Sequence, residues 1–302
     1  MKSENIKISA GYLLITILWG STWVAIRIGL DDLTPVFAAG SRFVVASVFI
    51  YLIMRYRGIK LQTDSESVKL YILMSLFSFV LPFGFVYWGE QFISSGLTSV
   101  LFAVFPIQVS IFSRMYFPNE KIGIYKALGI VLSFGGIIVI FSENLSFDVG
   151  SDFLPMLLIV IASGMQAWIA VVIKKYGNHL NSLSMNFVPL FSAGIIMVLF
   201  GLLFEERETL YFSASAVGSV FYLAFFGTVL TFTTYYWLMK RINVVLLALS
   251  AFITPILALI IGWIILDEHL TTRNFIGSVF VLIGILFANF RGLKLYLKEK
   301  YG

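Results

Sequence analysis

The sequence contains no cysteine, which excludes disulfides, thiolate nucleophiles and cysteine-ligated metals. Charge is scarce too: 12% of the 302 residues are Asp, Glu, Lys or Arg, against 59% hydrophobic, and the mean hydropathy is +0.95. A soluble domain carries about a quarter charged residues. This chain has too little polar surface to face water all round and reads as an integral membrane protein. Histidine is limited to His179 and His269, placed in loops on opposite sides of the membrane, and no apolar run holds two acids. A membrane-embedded enzyme acting on a lipid-soluble substrate is the alternative reading. It needs a nucleophile with a base, paired acids or metal ligands at depth, and the sequence offers no such set. No cofactor or metal is implied. A glycine-rich phosphate loop ending in Lys-Ser or Lys-Thr is missing, as are charged filter rings, which argues against direct ATP use and against an ion channel.

What the chain does have is apolar runs. Segments of about 20 residues, the length that crosses the hydrocarbon layer as a helix, fall at roughly 11–30, 35–54, 71–92, 95–116, 123–142, 154–174, 183–204, 216–239, 244–266 and 275–291. They predict an all-α integral membrane protein of ten transmembrane helices. The first run is too long for a signal-peptide core and leads into a turn-like Asp31–Pro35, so it reads as a retained span. With a cytoplasmic amino terminus, seventeen Lys and Arg lie in inner segments and only Arg207 and Arg273 in outer loops, with Arg27 and Arg42 inside spans. Acids lean outward, as at Asp31, Asp32, Glu143, Asp148, Asp152, Glu205, Glu206 and Glu208. This asymmetry predicts both termini in the cytoplasm and residence in the cell membrane. It also makes the net charge of +5 a topology and lipid-headgroup signal rather than a nucleic-acid footprint.

The chain repeats itself. Tyr87-Trp88 precede Pro106 by 19 and 18 residues, and Tyr236-Trp237 precede Pro255 by the same distances. Glu120 is followed at +9 and +16 by Gly129 and Gly136, and Glu268 at the same offsets by Gly277 and Gly284. Each half holds five spans, an odd number, so the second copy must be inverted relative to the first. Two inverted five-helix repeats around a central cavity are a transporter architecture, with the solute bound near the midplane.

The stretch Ile17–Leu30 followed by Pro35–Phe43, and the closing stretches 250–271 and 275–287, resemble the opening and close of an EamA-type repeat of the drug/metabolite transporter superfamily. The resemblance covers two tandem repeats, 9–142 and 154–290. It implies a basket of ten helices, a cavity lined mainly by helices 1, 3, 4, 6, 8 and 9, and a secondary transporter for amino acids or similar metabolites, moving them outward. The partners it implies are a small-molecule solute and membrane lipids.

Individual residues sharpen that expectation. Thr16, Trp19, Gly20, Trp23 and Arg27 share one face of helix 1, with Thr22 beside them, and a tryptophan near mid-span suggests cavity lining. Thr228, Thr231, Tyr235 and Trp237 repeat the idea on helix 8, and Tyr87 and Trp88 on helix 3. The threonine hydroxyls can equally bond carbonyls of their own helix. Gln108 and Gln166 are amides in the apolar zone, either glue between helices or solute contacts, and Ser250 precedes Pro255 toward the cavity. The related Pro106 and Pro255 predict a symmetric pair of midplane kinks serving as hinges, whereas Pro82 and Pro189 read as shape alone. Among intramembrane charges, Arg42 is expected to pair with Asp31 or Asp32 in preference to sensing an anionic solute, Arg27 to reach Asp31, and Glu90 to be a solvated loop residue. Glu90 is nonetheless the one acid near a span edge placed to carry a proton. Gly129, Gly135, Gly136, Gly277 and Gly284 permit close packing of helices 5 and 10, within a monomer or across a homodimer.

Overall fold

The computed structural model describes residues 2–118, 123–142, 152–206, 210–239, 241, 242, 247 and 250–301. Of the residues used above, Glu120, Glu143, Asp148, Arg207 and Glu208 lie outside the described residues. Regular structure among the described residues is helical throughout. The helices are α1 (Lys2–Leu30), α2 (Pro35–Tyr56), α3 (Ser65–Gly89), α4 (Ser95–Tyr116), α5 (Ile124–Phe141), α6 (Phe153–Tyr176) and α7 (Ser182–Phe204). Next comes α8, made of Ala214–Ala224, Phe225–Leu230 and Thr231–Met239, and then α9 (Ser250–Leu266) and α10 (Thr272–Tyr301). Nine are long and apolar enough to cross a membrane, and α9 is a shorter apolar helix of 17 residues.

Short polar residues set where the spans begin. The side chains of Asp64, Ser94, Asn181 and Ser213 accept the backbone N–H of Ser67, Leu97, Leu183 and Ala216, capping α3, α4, α7 and α8, while Pro35 opens α2. Each satisfies a donor that a helix start leaves unpaired.

Packing follows the repeat. α5 runs along α10 and α2 along α7; α1 packs on α8 and α9 as α6 packs on α3 and α4; α2 meets α8 as α7 meets α3. These pairings map onto one another when each helix is exchanged for the one five places on. The two halves are therefore related by a two-fold operation, and five crossings per half make them inverted. Glycines sit on the seams. A Cβ at Gly129 would lie 2.5 Å from the Gly284 carbonyl oxygen, and one at Gly136 2.5 Å from that of Gly277. The small-residue faces of α5 and α10 thus meet within one chain.

Two features depart from the expected regularity. Both α3 and α8 contain a π segment, Ser75–Val80 and Phe225–Leu230, at matching places in the two halves. The prolines, by contrast, are not a symmetric pair. α4 is interrupted at Ala103-Val104 and restarts at Phe105 with Pro106 in its first turn, where a missing N–H costs no helical bond. Pro255 lies inside the uninterrupted α9.

The links α1–α2, α3–α4, α7–α8 and α9–α10 gather at one end, with Asp31, Asp32, Glu90, Glu205 and Glu268. There Ser213 donates to Asp32 at 2.5 Å. At the opposite end the α2–α3 link reaches the α6–α7 link, Gln62 Nε2 donating to the His179 carbonyl at 2.5 Å and Gln62 Oε1 accepting from Asn181 N at 2.8 Å.

Candidate functional site

The aromatic stripe of α1 bridges the halves. Trp19, half-buried, meets Phe232 and Tyr235 of α8 with ring centroids 6.0 and 5.5 Å apart, and Trp23 meets Phe102 of α4 at 5.5 Å. Between them, a Cβ at Gly20 would lie 2.7 Å from Leu257 of α9, so the missing side chain lets α9 approach. Trp88 and Trp237 belong instead to the two ends of the molecule: Trp88 packs on Phe92 at 4.8 Å and Trp237 lies under Arg241 at 4.4 Å.

The polar groups of the spans are bonded within the protein, the two amides between helices and the hydroxyls to nearby carbonyls of their own segments. Gln108 of α4 donates to the Val160 carbonyl at 3.1 Å and accepts from Ser163 at 2.7 Å, both on α6. Gln166 of α6 donates at 3.1 Å to the carbonyl of Ser78, inside the π segment of α3. On α8, Thr228 donates to the Leu223 carbonyl at 2.9 Å and Thr231 to that of Phe226. Those partners lie five residues back, a consequence of the π segment rather than the four-residue return expected of threonine. Thr22 and Ser250 donate to the carbonyls of Trp19 and Leu247, each at 2.7 Å.

The ionisable residues are arranged differently from the sequence expectation. Arg42 is 6% exposed and pairs with neither Asp31 nor Asp32. Its Nε and Nη2 donate to Thr228 Oγ1 at 3.4 and 3.3 Å, and its guanidinium lies 5.8 and 5.4 Å from the ring centroids of Phe43 and Phe83. The rotation of α2 in the bundle turns Arg42 inward, toward α8, which sequence spacing does not report. Arg27 donates from Nη1 to the backbone carbonyl of Glu90 at 2.6 Å instead of to Asp31. Glu90 is no solvated loop residue but 0% exposed. Packing closes over it: Arg27 reaches across its backbone, and a Cβ at neighbouring Gly89 would lie 3.0 Å from Ile159 of α6. Tyr87, one turn earlier, is buried as well. These groups form one polar cluster, buried apart from the half-buried Arg27, drawn from α1, α2 and α3 of the first half and α8 of the second.

Sequence reasoning assigned no role to two carboxylates that the structure puts to work. Glu268, after α9, accepts Ser95 N at 2.8 Å, Ser95 Oγ at 2.9 Å and Gly96 N at 3.1 Å. Glu205, at the end of α7, accepts Val36 N at 2.9 Å and Phe37 N at 3.0 Å. Each caps a helix of the first half from the second, a favourable place for a negative charge. The signal available for Glu268 was its recurrence with Glu120 in the repeat spacing. Beside it opens a pocket of 360 Å³ lined by Arg27, Asp31, Ser94, Leu266 and Glu268 among others.

Comparison with known proteins agrees with this architecture. Residues 7–142 and 153–290 each match the EamA-like transporter family. The chain is 31% identical over 288 residues to an uncharacterized transporter, YoaV, of Bacillus subtilis, covering 94% of this chain and 97% of that protein. It is 27% identical to protein PagO of Salmonella typhimurium, covering 93% and 92%, and 28% identical to the uncharacterized inner membrane transporter YedA of Escherichia coli K12, covering 82% and 78%. A crystal structure of a protein 15% identical in sequence superposes with a TM-score of 0.67 over 95% of this chain and 98% of the other, a likeness of fold.

Proposed function

The chain belongs to the EamA-like transporter family, and from that premise we propose that it exports a small organic solute across the cytoplasmic membrane by alternating access of its two inverted halves. The observation that carries this reading is the exchange symmetry of the packing. Helix pairs of one half recur, inverted, in the other, so a site opened to one side by one arrangement is opened to the other when the halves trade arrangements. The end gathering Asp31, Glu90 and Glu268 faces outward, since Lys and Arg concentrate at the other. The solute is amphipathic or aromatic, amino acid-like in size. Trp19, Trp23 and Tyr235 offer ring faces where the halves meet, and Gln108, Gln166, Thr228, Thr231 and Ser250 have at least one polar bond already inside the protein. Recognition then rests on ring contacts with few added hydrogen bonds. The seam glycines of α5 and α10 face each other within one chain, which supports a monomer as the transporting unit.

The test is flux of amino acids, nucleosides and drug-like cations into vesicles holding the purified protein, with the solute recovered and identified. The expected result is flux without chemical change. Trp19→Ala and Tyr235→Ala should each lower it about ten-fold at unchanged folded yield. A chemically altered solute would count for an enzyme, and parallel loss of folded protein would make both rings packing residues.

A further inference from the structure

Glu90 and Glu268 end neighbouring links at the same end of the molecule, yet their carboxyl groups are treated in opposite ways. Glu268 receives three donors. Glu90 is fully buried and neither of its carboxyl oxygens meets a donor. The cations that could neutralise it are both nearby and both turned elsewhere. Arg27 of α1 donates to the Glu90 backbone carbonyl, and Arg42 of α2 leans on Thr228 through two long bonds, 3.3 and 3.4 Å.

We propose that Glu90 is a proton-binding site of this carrier, protonated while Arg42 rests on Thr228 and deprotonated when Arg42 turns to it. A bare carboxylate without donors is costly in a low-dielectric interior, and a neutral carboxyl avoids that cost. The charged and titratable groups facing Glu90 are Arg27 from α1, Arg42 from α2, Tyr87 from its own helix and Glu268 from the link after α9. Where α6 packs against this turn it brings Pro155 and Ile159, which titrate nothing. Glu268 raises the cost of a second negative charge, while either arginine lowers it, so the position of Arg42 decides the state of Glu90. Only the O–H bond breaks: the proton passes to water by way of a pocket that reaches Gln91, the next residue, and is also lined by Arg27, Asp31 and Glu268. Two flanking guanidinium groups make the place unsuited to a metal cation. In the second half Met239 stands, by the Tyr-Trp spacing, at the position of Glu90, so the repeat does not itself demand an acid there.

The proton site is independent of the transport reading; that it couples solute movement to protons rests on that reading. Infrared difference spectra of the full-length protein in lipid vesicles, taken as pH is stepped, report the carbonyl stretch of a protonated carboxyl without any solute. The expected result is a titrating band that Glu90→Gln lacks. Thr228→Val, which frees Arg42, should move its midpoint down by about one pH unit. A band unchanged in Glu90→Gln, or missing from the wild type, overturns the site. Should Glu90→Gln not fold, an unmoved midpoint in Thr228→Val overturns it. In the flux assay, an imposed pH gradient should drive solute in the wild type and not in Glu90→Gln. Wild-type flux indifferent to the gradient overturns the coupling and leaves transport itself standing.

Discussion

α2 and α7 are corresponding helices of the two halves, the first carrying Arg42-Phe43 and the second Asn186-Phe187, and Tyr87-Trp88-Gly89-Glu90 corresponds to Tyr236-Trp237-Leu238-Met239. Phe43 sits edge-on to Phe79 and Phe83 inside the bundle, while Phe187 stacks with Phe191 and lies tilted against Tyr51. Both helices pack aromatic rings against their neighbours, and α2 alone of the two carries a charge in mid-span. Asn186 answers its own needs by donating to the Ser182 carbonyl at 2.8 Å, whereas Arg42 reaches across the bundle to α8. One half carries buried charge on a frame that the other half builds without it. What the halves share is the scaffold, and what separates them is available for chemistry.

Substitutions can break that comparison at several strengths. The seam between the halves should be the most sensitive place. Gly136→Leu drives a side chain into the Gly277 carbonyl and should cost about 3 kcal/mol in unfolding experiments in detergent, with its counterpart Gly284→Leu, driven into the Gly129 carbonyl, costing as much. Gly135→Leu, which faces open space, should cost little. Unequal losses from these counterpart glycines would deny the two-fold relation. Next come the carboxylates. Glu268→Ala strands the donors at Ser95 and Gly96 and should cost about 2 kcal/mol, whereas Glu90→Gln, which loses no donor, should be near neutral. Similar losses from both would erase the contrast between them.

Removing the buried charge of the first half is a milder change. Arg42→Asn should lower flux about ten-fold, or ~1.4 kcal/mol in the barrier, while leaving the protein folded. Unaltered flux would make the charge difference between halves incidental. The prolines come after that. Pro106→Ala should shift stability by less than about 0.5 kcal/mol because it opens a helical segment. Pro255→Ala, inside α9, restores a backbone bond and should shift it more. The smallest effect concerns the caps of α3 and α8, Asp64 and Ser213. The Ser67 hydroxyl, and then its backbone N–H, hold the Asp64 carboxyl below the usual carboxylate range. Its contribution is therefore full above the unfolded-state value and fades as pH falls through the folded one. The stability gap between wild type and Asp64→Asn should close on acidification, while the gap for Ser213→Ala should not depend on pH in that range.

Much of this frame is written in the residues. Apolar run lengths, the Lys and Arg asymmetry and the spacing of Tyr-Trp, Pro, Glu and Gly mark ten helices and a duplication, because lipid and repeat geometry act on composition directly. The π segments left no such trace. Ser75–Val80 and Phe225–Leu230 read as ordinary apolar helix, since a change from four-residue to five-residue bonding needs no particular side chain. The partners of Arg27, Arg42 and Glu90 were equally hidden. Local spacing offered Asp31 and Asp32, and only the rotation and tilt of α1, α2 and α8 reveal that the arginines point to a carbonyl and a hydroxyl. The roles of Glu205 and Glu268 depend on which helix starts lie opposite them, a property of the assembled halves. Pro106 and Pro255 match in sequence spacing and differ in structure, the first standing in the turn that restarts α4 after Ala103-Val104 and the second within Ser250–Leu266.

The central claim is that the two inverted halves exchange arrangements, and the absence of cysteine makes a direct test practicable. Spin labels on cysteines introduced at Phe92 and Asp267 would report the acid-lined end, and at Met115 and Arg241 the opposite end, by pulsed distance measurement in lipid vesicles with and without a transported solute. The account predicts that the two distances change in opposite senses. Distances that stay fixed, or that lengthen and shorten together, would contradict it.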